Sequence, residues 1–182
     1  MRLLIALVLI NLLIWTGLSI TGPVSSILYA QRTQIFPEVP AAQGQWATIR
    51  SGHILIGMVD GRVLDWIPQD GSWRLWNYDP THTGDVLPDP PVAYGQWRTL
   101  RSGHTLIPMR DGRVLDWVAA DGSWRLWNYD PGSTEDILPD PMVAREQWAT
   151  ISRGQTLIPM GDGRVLDWVP NDGTWKLWEY TP

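Results

Sequence analysis

Apolar and polar positions along the chain follow two regimes. From Leu3 to Ile20 eighteen residues pass without a charge, broken only by Asn11, Thr16, Gly17 and Ser19. As a helix this run spans about 27 Å at ~1.5 Å per residue, close to the ~30 Å hydrocarbon core of a bilayer, so it predicts one membrane-spanning helix within residues 1–30. Beyond residue 31 the apolar residues come in short runs bounded by Gly, Pro and Asp-Gly pairs, the pattern of strands and tight turns.

The second regime is periodic. Trp46, Trp97 and Trp148 are 51 residues apart, as are Trp66, Trp117 and Trp168. Between Trp46–Asp79 and Trp97–Asp130, 26 of 34 positions are identical. Such self-similarity marks a repeat architecture. The third copy stops at Tyr180, without the Pro-rich segment that follows the first two (Val86–Ala93 and Ile137–Ala144). A matching segment, Ile35–Ala42, precedes the first copy at the same spacing. Phased this way the array holds three whole units, about 33–83, 84–134 and 135–182. Three whole units predict a closed, pseudo-threefold body instead of an open solenoid.

Each unit carries two Asp-Gly pairs, in the second copy Asp111-Gly112 and Asp121-Gly122. Asp-Gly between β-prone runs is a strong hairpin signal, because primed turns need positive φ. The second unit is therefore expected to hold strands at Gln96–Arg101, His104–Met109, Arg113–Val118 and Ser123–Tyr129 in one antiparallel meander. Alternation puts Val114, Asp116 and Val118 on one face, with Leu115 and Trp117 on the other. Large side chains on both faces imply that both are covered by neighbouring sheets. The fold class is all-β, with three four-stranded units behind one N-terminal helix.

The N-terminal run has a second reading, as a cleaved signal peptide. Such peptides have shorter apolar cores and small residues before the cut, and a cut after Ala30 would have Leu28 where a small residue belongs. The anchor reading is preferred, with membrane lipid contacting residues 3–20. Arg2 lies on the short side, which puts the N-terminus in the cytoplasm and residues 31–182 in the periplasm or outside the cell.

Composition narrows the partners. A net charge of −5 without a Lys/Arg cluster argues against nucleic acid, whose phosphates need concentrated positive charge. The chain has no Cys, which removes disulfides, thiolate metal sites and cysteine nucleophiles. Thirteen Trp stand against one Phe, and twelve of them lie in the repeats, four per copy.

The stretch His104-Thr-Leu-Ile-Pro-Met-Arg-Asp-Gly-Arg-Val-Leu-Asp-Trp, followed by Trp127-Asn-Tyr-Asp-Pro, resembles a Kelch-type blade of the galactose-oxidase kind. The resemblance covers all three units and implies propeller blades. Two features depart from it. Propellers typically have four to eight blades, and Asp116-Trp117 stands where the family has a double glycine. A β-prism or β-trefoil also builds a threefold body from such units, and both stay open, ahead of oligomerisation that completes a larger ring. The resemblance does not extend to copper oxidase chemistry, which needs a cross-linked Cys.

Candidate chemistry is sparse. His53 and His104 occupy one repeat position, where the third copy has Gln155, so a structural hydrogen bond fits better than a metal site. His82 stands alone. Each copy repeats an Asp and an Arg (Asp65/Arg62, Asp116/Arg113, Asp167/Arg164) together with Arg74, Arg125 or Lys176. Paired carboxylates serve glycoside hydrolysis, but charges repeated by symmetry more simply satisfy one another between strands. No Ser/His/Asp pattern, P-loop or dinucleotide fingerprint is present. No catalytic residue, metal or cofactor is expected. The Trp residues remain, and Trp66, Trp76, Trp117, Trp127, Trp168 and Trp178 are the candidates for partner contact or for stacking on sugar rings.

These residues predict a non-enzymatic, membrane-anchored scaffold or accessory subunit of a larger membrane complex, which meets other subunits through exposed aromatics. The alternative is lectin-like carbohydrate binding at the repeated Trp sites. The non-repeated linker loops, Thr81–Asp85 and Gly132–Asp136, are further candidates for partner contact.

Overall fold

In the computed structural model, residues 40–82 and 84–181 are described. The expected membrane helix and the start of the first linker segment lie outside them. Among the described residues every regular element is a β-strand, and no helix is long and apolar enough to cross a membrane.

Eleven strands form three antiparallel sheets. The first contains β1 (Ile54–Gly57), β2 (Val63–Ile67), β3 (Ser72–Trp76) and β4 (Ala93–Gln96), paired in that order. The second contains β5 (His104–Pro108), β6 (Arg113–Val118), β7 (Ser123–Asn128) and β8 (Ala144–Gln147). The third has only β9 (Thr156–Pro159), β10 (Arg164–Trp168) and β11 (Trp175–Glu179).

The Asp-Gly pairs make the turns. Gly71 has φ of 76°, a region L residues seldom adopt, and its N–H donates to the Ile67 carbonyl at 2.8 Å. The Asp70 carboxylate accepts from the Ser72 N–H at 2.8 Å, and that bond, with the Ser72 hydroxyl, holds its pKa below the usual value. The same side-chain bond closes the turns at Ser123 and Thr174.

One strand is not where the alternation put it. Gln96–Arg101 does not open the second meander. Ala93–Gln96 forms β4 and pairs with β3 of the preceding sheet, matching Leu75 to Ala93 and Ser72 to Gln96, and the chain bends at residues 98–99. The physical reason is that Trp97 and Leu100 are buried against the first sheet, with the Trp97 ring stacked on Trp73 at 5.2 Å between centroids. Their alternation reports packing on a neighbour, not pairing with β5. Each complete sheet thus takes three strands from one repeat and the fourth from the next, so its boundary falls near Gln96 or Gln147. The third sheet has three strands instead of the expected four.

The cores lie between successive sheets. Leu64, Trp66, Trp73 and Leu75 of the first sheet pack with Leu106, Val114 and Trp127 of the second. Ile107, Leu115 and Trp117 of the second pack with Leu157 and Val165 of the third. Strand β6 thus buries one face on each neighbour, as its two-sided apolar pattern requires. Strand β1 lies against β5 and β5 against β9, while β9 does not touch β1 among the described residues. Among the described residues no strand contact closes the three sheets into a ring.

Candidate functional site: a repeated polar core and an open sheet edge

Two features stand out as places where this fold could act. The first is polar. Asp65 on β2 faces Arg74 on β3 in register, and its side chain is fully buried. Its Oδ1 sits 2.6 Å from His53 Nδ1, just before β1. Its Oδ2 accepts from Arg74 Nε at 3.0 Å and Nη2 at 2.6 Å. The second sheet repeats this set: His104 Nδ1 lies 2.7 Å from Asp116 Oδ1, and Arg125 Nε donates to Oδ2 at 2.8 Å. Each guanidinium also lies over a Trp ring, Arg74 over Trp76 at 5.4 Å and Arg125 over Trp127 at 5.8 Å.

A buried carboxylate with bonds to both oxygens from two donors is well compensated for its desolvation. The expected pairing of Asp with Arg is therefore present, with Arg74 and Arg125 as the partners. Arg62 instead donates to the Pro131 carbonyl at 2.7 Å, and Arg113 to the Tyr180 hydroxyl at 3.1 Å. Open clefts of about 440 Å³ and 670 Å³ border the two polar sets. Among the described residues no hydroxyl is hydrogen-bonded to His53 or His104, and no group of three His, Cys, Asp or Glu could hold a metal. The arrangement is suited to fastening three strands together, and nothing in it activates a nucleophile.

In the third sheet the set is degraded. Gln155 donates to Asp167 Oδ2 at 3.2 Å, while Oδ1 is buried without a partner. Lys176 lies over the Trp178 ring at 5.9 Å, and no ion pair joins it to Asp167.

The second feature is the outer edge of that sheet. In the first sheet Trp73 is buried under Trp97, and in the second Trp124 stacks on Trp148 at 5.4 Å. Trp175 holds the same position on β11 and is 67% exposed. On the same face Trp168 is 39% exposed, and Ile158, Met160 and Leu177 are open as well, while Trp178, paired with Val165, is 41% exposed on the opposite face. Their counterparts Met58, Met109, Trp66, Trp117, Leu75 and Leu126 are all buried. A contiguous apolar face beside an unpaired strand edge is a surface soluble monomers seldom leave uncovered.

The six Trp candidates therefore divide. Trp66, Trp76, Trp117 and Trp127 are core residues with no ring face available to a sugar or a partner. Their size fills the space between sheets, and their buried indole N–H groups have no protein acceptor. Trp168 and Trp178 are accessible. Trp175, outside the candidate set, is the most exposed Trp of the third sheet. The signal for it was present: Gln96-Trp97 and Gln147-Trp148 follow the first two copies of its strand and cover the matching Trp73 and Trp124. Tyrosines bridging successive units were also missed. The Tyr129 hydroxyl donates to Asp60 Oδ2 and that of Tyr180 to Asp111 Oδ2, each at 3.0 Å. Burial, then the Asp60 contact, pushes the Tyr129 pKa well above its usual value.

No family model matches the chain, and no curated protein matches it. Among solved structures, the β-propeller domain of Swd1 from Myceliophteria thermophila is similar over 79% of this chain, with 10% identity and a TM-score of 0.32. The alignment covers 50% of that chain, so this one spans half its length.

Proposed function

We propose that this chain is a non-catalytic scaffold, anchored by residues 3–20, whose blade-like sheets serve outside the cytoplasm as an accessory subunit of a larger membrane complex. The observation that carries the reading is the open aromatic edge of the third sheet. Trp175 and Trp168, paired across β10 and β11, offer large rings on one face at low side-chain entropy cost, Trp178 offers another on the opposite face, and the edge of β11 between them offers unpaired backbone groups. Together these suit strand addition by a protein partner. The buried His-Asp-Arg sets support the same reading, because each is engaged in holding its own sheet.

The test is purification of the full chain in mild detergent, with and without Trp175→Ala and Trp178→Ala. Retention of a protein partner by the wild type, and its loss from the double variant, is the expected result. A chain that always emerges as a monomer, with no protein chain on its open edge, contradicts the reading.

A further inference from the structure

Two junctions inside the molecule define what completes a sheet. At the first, Val92 N–H donates to Leu75 O at 2.7 Å, Trp97 N–H to Gly71 O at 3.0 Å, and Gln96 Nε2 to Asp70 O at 2.9 Å. At the second, Val143 donates to Leu126 O at 2.7 Å, Trp148 to Gly122 O at 2.9 Å, and Gln147 Nε2 to Asp121 O at 2.6 Å. Moved on by one repeat, the acceptors are Leu177, Gly173 and Asp172, on and beside β11. Moved back by one repeat, the donors are Ala41, Trp46 and Gln45.

Both halves of a third junction are thus present in one chain, and neither is joined. Ala42–Gln45 occupies the repeat position of β4 and β8, yet among the described residues it pairs with no strand. The Trp that follows it is nonetheless anchored as in the next repeat, because Trp46 Nε1 donates to Asp85 at 2.7 Å as Trp97 Nε1 donates to Asp136 at 2.9 Å.

A second set of contacts points the same way. Tyr129 and Tyr180 each reach back to the Asp of the previous unit. Tyr78, their counterpart in the first unit, is 51% exposed and has no such partner, and Asp162, the matching acceptor, is engaged only by its own Arg164. The front of the first unit and the back of the third are complementary at the strand edge, at the Trp stack and at the Tyr-Asp bridge.

We infer that the partner at the open edge is a second copy of this chain, joined head to tail. Residues Ala42–Gln45 of one copy form the fourth strand on β11 of the other, its Trp46 stacks on Trp175, and its Tyr78 reaches Asp162. This rests on the docking reading above and names its occupant. Among the described residues of one copy neither β9 nor β11 touches β1. A head-to-tail contact closes when rotation allows it. Two copies with three sheets each give six sheets, inside the range of four to eight at which radially repeated four-stranded sheets close.

The experiment uses the full chain, which has no Cys of its own. The register predicts that Lys176 faces Gln43 of the other copy, as Arg74 faces Tyr94. Single variants Gln43→Cys and Lys176→Cys are mixed, oxidised and resolved without reductant, and the wild-type mass is measured by sedimentation in density-matched detergent. The inference predicts a disulfide-linked pair from the mixture, a wild-type mass of two chains, and a twofold drop in mass for Trp175→Ala. A one-chain mass overturns it. A Gln43→Cys/Lys176→Cys double variant that cross-links wholly within single chains also overturns it. If the chain is single yet holds another protein in a Trp175-dependent way, the second copy falls and the docking reading stands. If Trp175→Ala alters no assembly at all, both fall.

Discussion

The second and third sheets are built from nearly the same residues and end in different states. In the second, β8 covers the edge of β7, Trp148 lies on Trp124, and Asp116 is bonded at both oxygens. In the third, β11 is an edge, Trp175 is open, and Asp167 has one oxygen without a partner. The strand sequences alone do not explain this, since Ser123–Asn128 and Thr174–Glu179 are close copies. The difference is that β8, Trp148 and Gln147 of the third repeat complete the second sheet, while no described strand pairs with the outer side of β11. A unit here is therefore not self-sufficient. It is finished by its neighbour, as expected of repeat proteins whose stability resides largely in nearest-neighbour interfaces.

That contrast can be broken by substitution, and matched pairs should respond unequally. The largest effect is expected from Trp73→Ala, which empties a buried site and removes the Trp97 stack. It should cost about 4 kcal/mol, read as a shift in the urea unfolding midpoint. The matched Trp175→Ala in dilute protein should cost less than about 1 kcal/mol. Equal losses would mean that Trp175 is buried in the isolated chain.

Next comes the polar core. Asp116→Ala leaves Arg125 and His104 without their carboxylate and should cost about 3 kcal/mol, whereas Asp167→Ala should cost about 1 kcal/mol or less, because that carboxylate is poorly bonded. Thermal unfolding of the two variants, side by side, measures the gap.

A smaller effect is expected at the turns. Gly122 has φ of 76°, and a Cβ there would meet the Trp148 carbonyl at 2.5 Å. Gly173 has φ of 77°, but nothing lies within 4 Å of its added Cβ. Gly122→Ala should therefore cost about 2 kcal/mol and Gly173→Ala about 1 kcal/mol, the latter from backbone strain alone. Chemical denaturation distinguishes the two.

The smallest change is a gain. Gln155→His with Lys176→Arg rebuilds the His-Asp-Arg set in the third sheet and should add about 1 kcal/mol. Hydrogen exchange should slow in β9, β10 and β11, and unchanged exchange would show that Asp167 is not limiting there.

Much of this architecture was legible in the sequence. The repeat fixed the number of sheets, and the Asp-Gly pairs bracketed the strands closely: Arg113–Val118 was met in full, and its two neighbours end one residue early. The phase was not legible, because a period of 51 residues looks the same from any starting point. Only pairing shows that Ala93–Gln96 belongs to the sheet behind it. Burial divides the Trp candidates for a related reason. Repetition made Trp66, Trp117 and Trp168 look equivalent, and what separates them is whether another sheet lies against each. The Asp pairing was readable as a type, but the choice of Arg74 over Arg62 follows from the β2–β3 register.

The central claim is that the front of the first repeat finishes the back of the third. The most direct measurement is amide hydrogen exchange of β11 in the full chain, compared between wild type and Trp46→Ala. The account predicts that exchange across Trp175–Glu179 accelerates in the variant while β7 is unchanged, although Trp46 and β11 lie at opposite ends of the array. Exchange in β11 that is indifferent to Trp46 would contradict it.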